Sequence, residues 1–157
     1  MYQHILVPID GSETAEQGLY EAIRLAADQK ARLRLLYVID DFPMLMEMSS
    51  VANFDTSLQR LRDHGQQLLF NSRKLANDSG VQADPVLREV TAGRVSNTVV
   101  DEAKTAACDL IVMGTHGRRG FSRMALGSDA DLVVRTSPVP VLLVRKNSHD
   151  GRSETAE

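Results

Sequence analysis

A single cysteine, Cys108, is all the sulfhydryl chemistry the chain has, so no internal disulfide can form and a reducing compartment is expected. Its neighbours Ala106, Ala107 and Leu110 mark it as a buried structural thiol rather than a reactive one. Long apolar runs are also missing: no stretch nears the roughly 20 residues needed to span a bilayer. Met1 to Asp10 carries neither a basic start nor an extended apolar segment, so no secretory leader is expected there. These absences together predict a cytoplasmic protein that does not engage a membrane. A basic face is lacking too. The formal charge of -3 argues against a broad electrostatic grip on nucleic acid. His4, His64, His116 and His149 have no ligand-spaced partners, which excludes a structural zinc site by motif.

What is present is a regular alternation. His4 to Ile9 is a short apolar run ended by Asp10-Gly11-Ser12, a strand entering a turn. Ala15, Leu19, Ala22, Ile23 and Ala26 then fall at helical spacing. Leu33 to Ile39 is a second strand with little polar alternation, as expected when both faces are covered. Leu58, Leu61, Leu68, Leu69 and Leu75 mark a long helix stopping near Gly80. Pro85 to Thr91 is a weaker third strand with a proline at its start, and Gly93 opens a helix carrying Val95, Val99 and Ala103. Asp109 to Met113 and Val139 to Val144 are the fourth and fifth strands, separated by a short helix from Ser128 to about Arg135. This β-α alternation predicts one α/β domain over residues 1–146, a mostly parallel sheet with helices on both faces. Residues 147–157 are polar, lack apolar anchors and are expected to form a disordered tail.

Ligands of open parallel sheets collect beyond the carboxyl ends of the strands, where the winding direction reverses. Three strand ends are suggestive: Pro8-Ile-Asp10-Gly-Ser12, Tyr37-Val-Ile-Asp40 and Met113-Gly114. The last opens a glycine-rich stretch through Gly117 and Gly120 that is neither the dinucleotide fingerprint nor a Walker loop. Glycines let main-chain N–H groups close around an anion, and a helix beginning at Ser128 offers further donors. Arg118, Arg119 and Arg123 supply counter-charge for phosphate. A plainer reading stands beside this one. The glycines connect strand to helix, and Ser128 to Asp131 forms a capping box with Ser128 as the cap.

The spacing Gly114-x2-Gly117-x9-Gly127-Ser128 resembles the nucleotide motif of the universal stress protein family. The resemblance runs from about Tyr2 to Arg145. It takes in Val-Pro-Ile-Asp-Gly-Ser, Tyr-Val-Ile-Asp, Gly-Thr-His-Gly-Arg-Arg-Gly and the closing Pro-Val-Pro-Val-Leu-Leu-Val. It implies a three-layer sandwich around a five-stranded parallel sheet of order 3-2-1-4-5, and a bound ATP accompanied by Mg2+. Carried over position by position, Pro8 and Asp10 line the adenosine, with the acid near the ribose, and the Val38 backbone recognises the adenine edge. Met113, Gly114, His116 and Gly117 cover sugar and inner phosphates. Gly127 and Ser128 hold the outer phosphates, and Asp129 takes the following contact position. Each has a rival: Asp10 as a turn or helix cap, Val38 as a core residue, His116 as a packed loop residue.

Asp129 departs from the family's pattern, where a small apolar residue is usual, and Asp131 adds a second carboxylate. At about 8 Å from a phosphate and an effective dielectric of about 20, one carboxylate costs roughly 2 kcal/mol. On that account its removal strengthens binding, unless arginines or the metal ion already offset it. Phe42 and Met44 to Met48 form an apolar connection, either an adaptable contact surface or a flap on the long helix. Val139 to Val144 is an edge strand in this topology, and the resemblance implies a homodimer through it.

Three functions follow: a nucleotide-dependent stress or signalling regulator listening to a protein partner, a slow ATPase or phosphotransferase, or an interaction scaffold without nucleotide. No paired acid and base or nucleophile elbow favours the enzyme, and the glycine motif argues against the scaffold. The regulator is the expectation.

Overall fold

The first apolar run becomes β1, His4–Pro8, in which Ile5, Leu6 and Val7 are fully buried. A strand with no exposed face needs cover on both sides, and the order of elements supplies it. A computed structural model describes residues 1–41, 51–116 and 125–146. In it β1 is followed by α1 (Glu13–Gln29), β2 (Arg32–Asp40), α2 (Val51–Asp78) and β3 (Ala83–Val90). Then come α3 (Val95–Thr105), β4 (Leu110–Gly114), α4 (Ser128–Thr136) and β5 (Val141–Val144). All pairings are parallel and the order is β3-β2-β1-β4-β5, as the resemblance implied. Ile5 lies between Leu33 and Leu110, Leu33 opposite Ala83, and Ile111 opposite Val141.

The period-2 alternation of the strands sorts the core into two halves. Ile5, Val7, Leu33, Leu35 and Tyr37 face Leu19, Ala22 and Ile23 of α1 and Leu69 of α2. Leu6, Leu36, Ile111 and Met113 face Val99, Val100 and Ala103 of α3 and Ala130 and Val133 of α4. Cys108 belongs to the second half, where burial pushes its thiol up to about 11, so the structural assignment holds. On the first half, Gly65 of α2 lies over the buried Tyr37 ring. A β-carbon there would sit 2.5 Å from Tyr37 Cδ1, so the glycine is a packing requirement inside a helix.

Pro85 is the third residue of β3 rather than its opening residue, paired with Leu35. The ladder explains the tolerance. Leu33 N–H donates to the Gln82 carbonyl, so even-numbered residues of β3 face β2, and the missing N–H of Pro85 falls on the open edge.

Asp109, expected as a strand residue, precedes β4 and acts as a clamp. Its Oδ2 accepts from Gln3 N–H at 2.8 Å and its Oδ1 from His4 N–H at 3.0 Å, tying the start of β1 to that of β4. Glu102 is buried between Arg34 of β2 and Arg88 of β3, at 2.7 and 2.9 Å. Burial pushes its carboxyl up, but hydrogen bonds from both guanidinium groups outweigh that and hold it below the ordinary carboxylate value. Taking away either arginine would strand a buried charge.

His4 is buried, its Nδ1–H donating to the Ala106 carbonyl at 2.9 Å, while Nε2 has no partner among the described residues. Burial and the nearby Arg32 lower its pKa from the ordinary 6.5; the Ala106 bond opposes them in part. The unfolded chain therefore takes up a proton that the folded chain refuses. This contribution is intact above the ordinary histidine value and is lost as pH falls from there through the lowered one. Urea midpoints should drop between about pH 7.5 and about pH 5.5, and His4→Gln should flatten that drop. An unchanged slope in the variant would refute the assignment.

Candidate functional site

The register of β1 with β4 ends at Leu6 opposite Ile111, while β4 continues beside β5 as far as Gly114 opposite Val144. The central strands therefore part at their carboxyl ends, at the switch point of the winding, where a ligand crevice is expected. Each wall of that crevice can be built from the sequence upwards.

On the β1 side the chain turns sharply. Asp10 Oδ1 accepts from Ser12 N–H at 2.8 Å, and Gly11 takes φ +80, a conformation open to glycine at little cost. Ser12, not Asp10, caps α1, its Oγ accepting from Ala15 N–H at 3.2 Å. Asp10 thus closes the turn beside Pro8 at the end of β1. Val38 lies on β2 opposite Arg88 and packs on the second core half. The bond on the β1 side of β2 from Ile9 N–H to the Leu36 carbonyl measures 2.8 Å. Val38 has the parity of Leu36, so its peptide groups face the same way, past the end of β1.

On the β4 side Met113 and Gly114 are buried. A β-carbon at Gly114 would lie 2.7 Å from the Thr14 carbonyl carbon and Oγ1, and 2.9 Å from Ala15 N. Helix α1 thus starts directly on the end of β4. A glycine is needed at 114 whether or not a ligand binds, which corrects the inference that a scaffold has no use for it.

His116 has both ring nitrogens engaged. Nε2–H donates to the Ala125 carbonyl, and Nδ1 lies 3.0 Å from Thr115 Oγ1. A carbonyl only accepts, which places the proton of the neutral ring on Nε2. The Thr14 hydroxyl donates to the His116 carbonyl, and Gly127 N–H donates to the Thr115 carbonyl at 2.9 Å. These bonds join the two feet of the glycine-rich stretch. Thr14, in the first turn of α1, and Thr115, just after β4, hold this loop base and were not singled out from the sequence; the only signal was a hydroxyl residue at each place.

Beyond that clasp Gly127 is the N-cap of α4, with φ -60 and ψ 151 and no side-chain cap bond. Ser128 is the first helical residue, exposed, and caps nothing, so the expected capping box does not form. Among the described residues no acceptor meets the N–H groups of Ser128, Asp129 and Ala130, at the positive end of a helix. Asp129 Oδ1 accepts from Ser96 N–H in α3 at 3.3 Å, and Asp131 pairs with Arg135 at 3.0 Å. Both carboxylates are thus engaged by donors of the protein itself. Across the rim Lys146 Nζ, just after β5, meets Glu13 Oε2 of α1 at 2.5 Å. Gly117, Arg118, Arg119 and Arg123 lie outside the described residues, as do Phe42, Met44 to Met48 and residues 147–157.

A model of the family described as "Universal stress protein family" matches residues 1–145. The chain belongs to the universal stress protein family. Universal stress protein MJ0531 of Methanocaldococcus jannaschii is 32% identical over 146 residues, which cover 93% of this chain and 84% of that one. The solved structure of hypothetical protein MJ0577 superposes with a TM-score of 0.83 at 28% identity, covering 94% of this chain and 99% of that one. A universal stress protein solved in complex with cAMP shares the fold, with a TM-score of 0.62 at 24% identity and coverage of 92% and 97%.

The seating of α1 on β4 has a consequence for the bare protein. Gly114→Ala should destabilise it by about 1–3 kcal/mol, since the added methyl meets backbone rather than a movable side chain. Urea denaturation without nucleotide measures this, and an unchanged midpoint would show that the contact relaxes freely.

Proposed function

We propose that this universal stress protein binds ATP with Mg2+ in the crevice between β1 and β4 and acts as a cytoplasmic, nucleotide-dependent regulator of a protein partner. One observation carries the reading: α4 begins at the strand divergence with no side-chain cap among the described residues, behind a glycine whose dihedrals any residue could adopt. The backbone at 127 does not call for glycine, whereas close approach by a phosphate does. Pro8 and Asp10 would then line the sugar, the Val38 peptide the adenine edge, and Gly127 and Ser128 the outer phosphates. Met113, Gly114, His116 and Gly117 would cover the segment between, with Asp129 contributing its main chain. Arg118, Arg119 and Arg123 remain the proposed counter-charges. The cAMP complex of a protein with this fold is compatible with an adenine nucleotide here.

The described residues hold no cluster of three histidine, cysteine or acidic side chains for a metal ion, so Mg2+ would ride on the phosphates and water. Catalysis is disfavoured by one positive finding. With both nitrogens of His116 engaged, the ring is not poised as a general base.

Equilibrium binding of labelled ATP to the purified protein, with and without Mg2+, tests the proposal. Saturable binding without phosphate release is expected. No binding at about millimolar ATP would leave the scaffold, and phosphate release abolished by Asp10→Ala would establish the enzyme.

β5 lies at the sheet edge with Leu142 38% exposed, and Val134 of α4 is exposed as well. We assign this edge to a homodimer contact. Sedimentation at micromolar concentration should give a dimeric mass, shifted towards monomer by Leu142→Lys. A wild-type monomer would reject the contact.

A further inference from the structure

Resting on the nucleotide reading, we propose that Asp129 is a positioning residue: it caps α3 from α4 and thereby braces the Gly127–Ser128 turn for the outer phosphates. Helix α3 lacks its own cap. Its N-cap Arg94 is extended, with no side-chain bond, and its first turn has no acidic residue. Asp129 supplies both missing elements from a neighbouring helix, a carboxylate at the positive end and an acceptor for Ser96 N–H. The contact is half-buried, Ser96 is 1% exposed, and its Oγ has no partner among the described residues, so water does not readily replace the carboxylate.

Behind this polar tie the two helices are packed together, Val99 of α3 with Ala130 and Val133 of α4 in one apolar cluster. Asp129 directly follows Gly127, whose N–H is held by the Thr115 carbonyl, and Ser128, the first residue of α4. A carboxylate anchored on α3 thus fixes the first turn of α4 from behind. Its charge is shared with a second helix dipole instead of standing free against the ligand.

Two substitutions separate the tie from the charge. Asp129→Asn keeps an acceptor for Ser96 N–H and loses the charge, whereas Asp129→Ala loses both. Calorimetric titration of the full chain with MgATP and with AMP should show Asn binding ATP at least as tightly as wild type. Ala should bind ATP about fivefold more weakly, the size of a lost helix cap. AMP lacks the outer phosphates, so its affinity should change by less than about twofold in either variant. Amide exchange at Ser96 should quicken in Ala and not in Asn.

Equal ATP affinity in all three proteins overturns the proposal while leaving the nucleotide reading intact. So does an Ala variant that loses AMP as badly as ATP, which would mean general structural damage. Asn retains the fold's contacts, so a fall in its ATP affinity refutes the proposal even where Ala fails to fold. A wild type that binds neither nucleotide overturns the underlying reading and this proposal with it.

Discussion

Everything at the carboxyl end of the sheet depends on how closely α1 is seated on β4. Gly114 has no side chain, so Thr14 and Ala15 rest against its backbone, and even a β-carbon at Gly18 one turn on would come within van der Waals reach of the same peptide. The Thr14 hydroxyl then reaches the His116 carbonyl, so the start of α1 also holds one foot of the glycine-rich stretch. Helix, strand end and loop base form one packed unit. The crevice between β1 and β4 opens beside it, where the main-chain pairing has stopped.

Two helices begin at this crevice, and they are not equivalent. The N-terminus of α1 is satisfied from its own sequence, with Ser12 as cap and Glu13 and Glu16 in the first turn. That of α4 has only Gly127 before it, and its carboxylates are drawn away, Asp129 to α3 and Asp131 to Arg135. An anion entering the crevice therefore meets competing acids at one helix and available N–H donors at the other. The asymmetry is local and chemical.

Much of this architecture could be read in the sequence because it is written in periodicity. Ile5 to Val7 and Ile111 to Val112 are apolar without alternation, the mark of strands covered on both faces, and the strand order came from motif resemblance, not periodicity. Contacts between distant segments were not legible. Asp109 looks like the first residue of a strand; only the three-dimensional neighbourhood reveals it as a clamp on Gln3 and His4. Glu102 sits in an ordinary polar helix position, with nothing nearby in sequence to announce Arg34 and Arg88. Ser128 misled for a related reason. A serine followed by an acid at the third place satisfies the capping pattern, yet the helix starts one residue early and puts that serine inside its first turn. Capping geometry depends on one pair of dihedrals, which the pattern does not encode.

The glycines of the motif now carry unequal weight in choosing between a nucleotide-binding protein and a scaffold. Gly114 is accounted for by the fold alone, and a scaffold that kept α1 on β4 would keep it too. Gly127 is different. Its extended conformation suits any residue, and the bond it donates to the Thr115 carbonyl needs only a backbone N–H. A serine or aspartate there would have capped α4, by about 1 kcal/mol, and a chain serving stability alone would be expected to use one. A glycine that declines this cap leaves the helix end open while the clasp of Thr115 and His116 holds it in place. That combination holds the start of α4 in place while leaving it, among the described residues, without a side-chain cap.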